Sequence, residues 1–283
     1  MAAIYQAPTD IAAAINLLTE INEKTVIVAG GTEVARRLRE TPGCCDRLID
    51  IEQLHELRGI RESGDGRFEI GALTTCAELA SSTLITDRAP ILAEAAREVG
   101  GPQIRRIATI GGNIAIRCPR ADLVPALLVL DATVNLRSKA GERRVTLEDY
   151  LSGERRADEL ITSVDCEYPR GATAFQRFAA RRSLSPAIAS VAVLLRRSNR
   201  NVVQARIALG GVAQRPFRSR SAEQALTAGS GDFAVAIEVA AKQARGDAAP
   251  ESDSWATDWY RREILTVLVR RAVSQADQRL VNA

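Results

Sequence analysis

The sequence predicts an α+β protein whose two parts differ in how their strands are connected. In the first 55 residues, short β-branched strands alternate with helices in the manner of a small βαβ unit. Beyond Gly171, three apolar runs follow one another without intervening helices, which is typical of an antiparallel sheet. Periodic helical segments then dominate the remainder of the chain.

Composition indicates an ordinary globular protein. Of the 283 residues, 46% are hydrophobic and 26% are charged, which excludes collagen-like, coiled-coil and wholly disordered classes. The longest apolar stretches fall far short of the roughly 20 residues that span a bilayer. Residues 1–8 show no basic segment followed by an apolar one. We therefore expect a cytoplasmic protein without a membrane span.

Charge and thiol content exclude further classes. The 38 basic and 35 acidic residues leave a net charge of +3, with the arginine pairs dispersed along the chain, so binding to nucleic acid is not predicted. The single histidine, His55, excludes multi-histidine metal sites and is expected at the surface or at a helix cap. No C-x-x-C pair occurs among the five cysteines, so neither a zinc site nor an iron–sulfur cluster is expected in this chain. These cysteines are Cys44, Cys45, Cys76, Cys118 and Cys166.

The elements of the N-terminal part follow from periodicity and caps. Thr9 or Asp10 can cap a first helix with apolar residues at helical spacing. A strand at 25–29, a helix at 32–40 and a strand at 48–51 form the predicted βαβ unit. Further strands are predicted at 68–73, 132–136 and 159–165, and further helices at 75–82, 89–99 and 123–130.

The C-terminal part begins where Tyr168, Pro169, Arg170 and Gly171 interrupt the pattern. This predicts a domain of residues 1–170, with subdomains of about 1–55 and 56–170, and a second domain of residues 171–283. Its predicted strands lie at 174–180, 187–195 and 202–209, and its helices at 222–226, 234–245 and 258–278. The last helix is predicted to bury a stripe of Tyr260, Ile264, Val267, Leu268 and Val273.

Two glycine pairs are the candidate functional motifs. Gly30 and Gly31 stand between a predicted strand and a helix, where free backbone N–H groups and the helix dipole favour a phosphate. The pattern matches neither the Rossmann nor the P-loop motif, and a purely structural turn explains it equally well. A second pair, Gly111 and Gly112, lies between Thr109 and Asn113. Two such sites can line opposite sides of one diphosphate.

Asp122 lies nine residues after Asn113. Its carboxylate can accept a hydrogen bond from a ribose or ribityl hydroxyl, although an N-cap role for the next helix is an equal alternative.

These motifs resemble the FAD-binding medium subunit of the molybdenum hydroxylases, the family of xanthine dehydrogenase, aldehyde oxidoreductases and carbon monoxide dehydrogenase. The similarity covers the chain in order. Residues 101–105 favour the xanthine dehydrogenase branch. The segments that carry the resemblance are 29–33, 70–75, 109–115, 119–123 and 181–185.

The resemblance implies a vanillyl-alcohol-oxidase-type (PCMH) FAD-binding domain of two α/β subdomains, followed by an α+β domain with a three-stranded antiparallel sheet. It implies that two segments wrap the FAD diphosphate, that Asp122 contacts the cofactor's hydroxyls, and that the backbone of Ile161 and the side chain of Arg177 approach the flavin. No catalytic or metal-binding residue is implied. The residues of the two wrapping segments are Ile27, Val28, Ala29, Gly30, Gly31, Thr32, Glu33 and Val34, then Thr109, Ile110, Gly111, Gly112 and Asn113.

The sequence departs from the family pattern in two places. Ile116, Arg117 and Cys118 stand where relatives carry small polar residues, so a side-chain hydrogen bond to the cofactor near Ile116 is expected to be missing. Arg177 replaces the usual lysine and Ser185 a common aspartate. Arginine keeps the charge but has a different donor geometry, so flavin potential or acceptor choice is expected to differ.

By resemblance, the chain passes electrons from an iron–sulfur subunit with 2Fe–2S clusters, itself fed by a molybdopterin subunit, to NAD, oxygen or a quinone-type acceptor. The expected assembly is a dimer of heterotrimers. Two alternatives remain: a self-contained FAD oxidoreductase with its own substrate, and a non-enzymatic nucleotide-binding module.

Overall fold

Three β-sheets with flanking helices organise the computed structural model, which describes residues 3–22, 24–181, 184–199, 201–228 and 232–282. The first sheet has the order β1-β3-β2 and is parallel throughout. Its elements are β1 (Ile4–Gln6), α1 (Ile11–Leu18), β2 (Thr25–Val28), α2 (Thr32–Glu40) and β3 (Arg47–Asp50).

The predicted βαβ unit is confirmed within this sheet. Strands β2 and β3 pair in parallel, and α2 has the predicted bounds. Asp10 caps α1 because its Oδ1 accepts from the Ala13 N–H at 2.7 Å. Strand β1 was not predicted, since it is only three residues long and both Ile4 and Tyr5 are exposed.

The second sheet has five antiparallel strands in the order β4-β5-β8-β6-β7. The strands are β4 (Ile60–Ser63), β5 (Arg67–Gly71), β6 (Thr133–Ser138), β7 (Gly141–Thr146) and β8 (Leu160–Glu167). The helices are α3 (Cys76–Ser81), α4 (Thr83–Arg88), α5 (Pro90–Glu98), α6 (Pro102–Arg105), α7 (Ile110–Ala115), α8 (Leu123–Val129) and α9 (Leu147–Ser152). A single 3-10 turn, His55–Leu57, precedes β4, and His55 is exposed there as predicted.

The third sheet is antiparallel with the order β12-β11-β10-β9. Its long strands are the three predicted, β9 (Ala172–Ala179), β10 (Ala187–Ser198) and β11 (Asn201–Gly210). A fourth strand, the two-residue β12 (Phe217–Arg218), extends the expected three-stranded sheet because its backbone pairs with Ala208 and Leu209. Helices α10 (Arg220–Thr227), α11 (Phe233–Asp247) and α12 (Asp258–Val281) complete this part.

The predicted buried stripe of α12 is wrong at its N-terminal end. Tyr260, Ile264 and Val267 are half-buried, whereas Arg261 and Leu265 are buried. The reason is that the two terminal nitrogens of the Arg261 guanidinium find partners inside the protein: Nη1 donates to the carbonyls of Ile188 and Gly211, and Nη2 pairs with Asp253. A buried arginine with such partners cannot be foreseen from hydrophobic periodicity.

One hydrophobic cluster joins the second and third sheets. Every residue of α8 is buried, and the cluster around it takes in Phe175, Ala192, Leu194 and Ala208 from the third sheet. Because β9 therefore packs on the same core as α8, the side chains of β9 have a definite position relative to the N-terminal end of α8.

Within the described ranges, no helix has the length and apolar character needed to cross a membrane. The five cysteines are free thiols, of which Cys45, Cys76 and Cys166 are buried.

Candidate functional site

The first glycine pair forms the turn from β2 into α2. Gly31 is the N-cap of α2 with φ of +67°, and no side chain caps the helix. Only glycine adopts this backbone conformation without strain. The Thr32, Glu33 and Val34 amides have no hydrogen-bond acceptor in the described part of the chain. The N-terminus of α2 thus offers unsatisfied N–H donors to an anion.

Glu33 does not oppose an anion at this point. Both of its carboxylate oxygens bond to Arg36, which also pairs with Glu40. The Glu33 side chain therefore lies along the outer surface of α2, and only its backbone amide belongs to the candidate site.

The second glycine pair opens α7, and its two members have different roles. The Thr109 hydroxyl caps α7 by accepting from the Gly112 N–H at 3.1 Å. Gly111 is buried against Ala72: its N–H donates to the Ala72 carbonyl at 2.9 Å, and an added Cβ would lie 2.8 Å from that oxygen. Gly112 is exposed, with only the Thr109 hydroxyl near the position of a Cβ. Gly111 thus packs the loop, and Gly112 leaves its surface open.

The structure brings the two glycine pairs together. A Cβ on Gly30 would lie 1.6 Å from the Ile107 carbonyl oxygen and 3.1 Å from the Ala108 nitrogen. The backbone of the first pair is therefore in direct contact with the segment that leads into Thr109. Glycine is required at residue 30 for this close approach.

Asn113, rather than Asp122, makes the side-chain hydrogen bond to the N-terminus of α8. Asp122 is the N-cap residue of α8 but makes no side-chain capping bond. Instead, the Asn113 Oδ1 atom accepts from the Leu123 N–H at 3.3 Å. The Asn113 oxygen is therefore engaged in holding α8, and the Asp122 carboxylate is released for another partner.

That partner is Arg177 on β9. The Arg177 Nε atom lies 2.9 Å from Asp122 Oδ1, and both side chains are at least nine-tenths buried. Burial raises the pKa of Asp122 to about 6, the nearby Glu98 acts in the same direction, and Arg177 opposes the shift. Asp122 Oδ2 makes no hydrogen bond to the described residues, so it can accept one from a ligand.

Ser185 adds an unsatisfied polar atom beside this pair. Its carbonyl accepts from Arg177 Nη2, whereas its buried hydroxyl oxygen has no partner in the described chain. Such an atom is costly unless a ligand or water satisfies it. Of the neighbouring segment 181–185, Arg182 and Ser183 lie outside the described residues.

Backbone hydrogen bonds connect the strand around Ile161 to the second glycine pair. It is buried in β8, and the carbonyl of the next residue, Thr162, accepts from the Ala72 N–H at 2.9 Å. Ala72 in turn receives the Gly111 N–H. The backbone at Ile161 is thus two hydrogen bonds away from the second glycine pair.

The departures from the family pattern at residues 116–118 have surroundings of their own, unlike those at Arg177 and Ser185, which lie in the candidate site. Arg117, with φ of +49°, donates to the Gly153 carbonyl at 2.7 Å and stacks over the Tyr150 ring. Ile116 is 37% exposed, and Cys118 packs on the main core.

Sequence reasoning missed two residues of the site. Ala72 supports Gly111, and Glu98 is 3.7 Å from Arg177. Ala72 lies within the segment 70–75 that carries the family resemblance, but it acts through its backbone and small size, which gave no sign of this role. Glu98 belongs to no motif and ends a helix 79 positions before Arg177 in the chain.

The residues present fit FAD. Unsatisfied α2 amides and an open Gly112 suit a diphosphate, and the free Asp122 oxygen and the orphaned Ser185 hydroxyl suit the hydroxyl and polar ring atoms of a flavin nucleotide. In the described chain no group of histidine, cysteine or acidic side chains is arranged to hold a metal ion.

Comparison with known proteins identifies the family. Residues 1–166 match the model for the FAD binding domain in molybdopterin dehydrogenase, and residues 174–276 match that for the CO dehydrogenase flavoprotein C-terminal domain. The putative xanthine dehydrogenase FAD-binding subunit of Escherichia coli is 30% identical, with 97% of this chain and 96% of that protein covered. The carbon monoxide dehydrogenase medium chain of Afipia carboxidovorans is 31% identical, with 98% of each covered.

Solved structures agree with this assignment. Carbon monoxide dehydrogenase from Hydrogenophaga pseudoflava, in a form that lacks the Mo-pyranopterin moiety of its cofactor, matches with a TM-score of 0.93 at 29% identity over 99% of each chain. Quinoline 2-oxidoreductase from Pseudomonas putida 86 matches with a TM-score of 0.90 at 26% identity over 98% of each chain. The chain therefore belongs to the family of FAD-binding medium subunits of the molybdenum hydroxylases, an oxidoreductase family.

Proposed function

We propose that FAD binds with its diphosphate between the two glycine pairs. The contact of Gly30 with the Ile107 backbone supports this proposal, because Ile107 and Ala108 lead directly into the segment 109–113. Backbone N–H groups at the start of α2 donate to the phosphate oxygens, and the exposed face of Gly112 leaves room for them. Gly111 acts indirectly, by packing the second segment on Ala72.

The remaining proposed contacts orient the cofactor. Asp122 Oδ2 accepts from a cofactor hydroxyl, the backbone at Ile161 borders the flavin, and Arg177 places a permanent positive charge beside it. When bound, FAD supplies a group that takes up and releases electrons one or two at a time. The chain's own contribution is to bind, orient and set the electrostatics of that group. We propose that these functions divide between residues 1–170 and 171–283, with Arg177 reaching across the boundary.

We further propose a xanthine dehydrogenase-like complex. In it, an iron–sulfur small subunit with 2Fe–2S clusters and a molybdopterin large subunit accompany this chain in a dimer of heterotrimers. Electrons leave to NAD, oxygen or a quinone-type acceptor. The likeness to the E. coli xanthine dehydrogenase subunit and the residues at 101–105 support this branch. Other relatives are subunits of carbon monoxide, glyceraldehyde and nicotinate dehydrogenases, which supply the competing substrates.

The test is to coexpress the chain with the genes beside its own and to purify the complex. Candidate substrates are added without oxygen, and the flavin absorbance and the reduction of added NAD are followed. Bleaching by xanthine supports the proposed branch. Bleaching by glyceraldehyde, nicotinate or carbon monoxide alone overturns the branch and leaves the subunit assignment intact. Bleaching of the chain without partners by a substrate overturns the electron-transfer role.

A further inference from the structure

The Arg177 guanidinium is shared by two carboxylates of very different exposure. Its Nε atom lies 2.9 Å from Asp122, and its Nη1 atom lies 3.7 Å from Glu98 Oε2. The Asp122 side chain is 10% exposed and the Glu98 side chain 43% exposed. The buried Arg177 guanidinium therefore pairs with one buried carboxylate, Asp122, and with one solvent-exposed carboxylate, Glu98.

Glu98 borders an open cavity of about 310 Å³ between α5, β9 and α12. Its wall includes Glu94, Phe175, Gln176 and Gln275 in addition to Arg177. Arg177 and Glu98 thus both belong to the wall of a cavity that is open to solvent.

The position of Glu98 is not explained by helix stability. It is the last residue of α5, where the helix dipole disfavours a negative charge. It also stands four residues after Glu94, and like charges at this spacing repel. Glu94 is paired with Arg279 at 2.7 Å, whereas the partner of Glu98 is Arg177.

Few other charged groups face Asp122. From α3, the buried Cys76 thiol lies close, but burial raises its pKa to about 12, so the thiol is neutral. From α6, Arg105 donates to the carbonyls of Val99 and Gly100. Among the residues that the structure describes, Arg177 from β9 and Glu98 from α5 are thus the two charges that act on Asp122.

We propose that Glu98 is a positioning residue of the flavin site, which competes with Asp122 for the Arg177 guanidinium and so sets the pH below which the chain loses its flavin. This inference rests on the proposed FAD site. The ionised Asp122 carboxylate accepts a cofactor hydroxyl, and its protonation weakens that bond. The negative charge of Glu98 draws on the same cation and repels the Asp122 carboxylate, which favours protonation at a higher pH.

The experiment compares Glu98→Gln with Glu94→Gln in the full chain. FAD dissociation constants are measured by flavin fluorescence from pH 5 to pH 8. Glu98→Gln is expected to move the acidic loss of FAD to lower pH by roughly half a unit to one unit, a size consistent with one partly screened charge at this distance. Glu94 lines the same cavity but is paired with Arg279. The pH profile of FAD binding by Glu94→Gln should therefore match that of the parent chain.

A third variant, Asp122→Asn, distinguishes a failure of the proposed role of Glu98 from a failure of the proposed FAD site. If it weakens FAD binding and abolishes the acidic loss while Glu98→Gln leaves the profile unchanged, the role of Glu98 is wrong and the FAD site stands. If Asp122→Asn leaves both the affinity and the profile unaltered, the placement of FAD at Asp122 is wrong. Equal shifts in Glu98→Gln and Glu94→Gln would indicate a general charge effect and would also overturn the proposal.

Discussion

Arg177 on the third sheet and Asp122 at the start of α8 form an ion pair of 2.9 Å between side chains that are 6% and 10% exposed. The pair joins a strand of the C-terminal part to the loop that follows the second glycine pair. A buried ion pair contributes little net stability, but it holds the carboxylate in one orientation. In the proposed site, Asp122 Oδ2 is the oxygen left to accept a hydrogen bond from a cofactor hydroxyl.

The clearest test of the diphosphate contact is Gly112→Val. Gly112 is exposed and helical, so a side chain there would occupy the proposed phosphate space while changing the free energy of unfolding by only about 1 kcal/mol or less. We expect the FAD dissociation constant to rise at least tenfold in titrations of the flavin-free chain. Gly246→Val, at a helical glycine in open space, is the matched control. Undiminished affinity in a folded Gly112→Val variant would remove this contact.

Gly30→Ala tests the contact between the two glycine segments. Its methyl group would overlap the Ile107 carbonyl, so the backbones must separate. We expect the free energy of unfolding to fall by about 2 kcal/mol or more in chemical denaturation. Gly64→Ala, where a methyl group meets nothing within 4 Å, should leave it nearly unchanged. Similar stability of the two variants would show that the close approach does not exist in solution.

Asp122→Asn is expected to separate stability from binding. The folded chain raises the pKa of Asp122 from 3.8 to about 6, so it holds that proton more tightly than the unfolded chain does. The resulting stability is fully present below about pH 4 and is lost as the pH rises through 6. At pH 7.5 the uncharged asparagine should therefore raise the free energy of unfolding of the flavin-free chain by up to about 2 kcal/mol, while FAD affinity falls.

Denaturation curves at pH 4 and pH 7.5 check this prediction. The stability difference between the parent chain and Asp122→Asn should be much smaller at pH 4, where Asp122 is protonated in the folded chain and about half protonated in the unfolded chain. A variant that is less stable than the parent at pH 7.5 by several kcal/mol would contradict the sign of the pKa shift.

Arg177→Met removes the cation beside the proposed flavin position. Reduced flavin carries more negative charge than oxidised flavin, so its stabilisation is lost and the midpoint potential should fall by roughly 30–60 mV, which corresponds to a tenfold to hundredfold change for two electrons. Arg177→Lys keeps the charge and should restore most of the potential. Arg196→Met, at an exposed arginine on the neighbouring strand, is the control. An unchanged potential in Arg177→Met would exclude the cation from the flavin environment.

Strong local signals explain which elements the sequence predicts. The strand, glycine pair and helix around Gly30 carry their own turn and cap, so α2 has its predicted bounds. The three apolar runs that form β9, β10 and β11 are equally clear in the sequence. Strands β1, β4 and β7 escaped prediction because they are short and largely exposed. Strands β4 and β7 form hairpins with their neighbours β5 and β6, whereas β1 pairs with β3, which is distant in sequence.

The site was predictable in its backbone and less so in its side chains. The glycine pairs can be recognised from the sequence, because few roles other than a turn or a close approach require adjacent glycines. The bonds of Asn113 to α8, of Arg117 to Gly153 and of Glu98 with Arg177 depend on the tertiary arrangement. No local pattern encodes them, and the division of labour between Gly111 and Gly112 likewise appears only when Ala72 is in place.

The most direct test is the flavin content of the full chain, purified alone and with its coexpressed partners. The protein is denatured, and the released cofactor is identified and counted against the chain. If FAD binds between the glycine pairs, the complex should contain one FAD per chain, and the Gly112→Val variant should lose it. A complex that is assembled and active in electron transfer but releases no FAD from this chain, or releases it equally from Gly112→Val, would contradict the central claim.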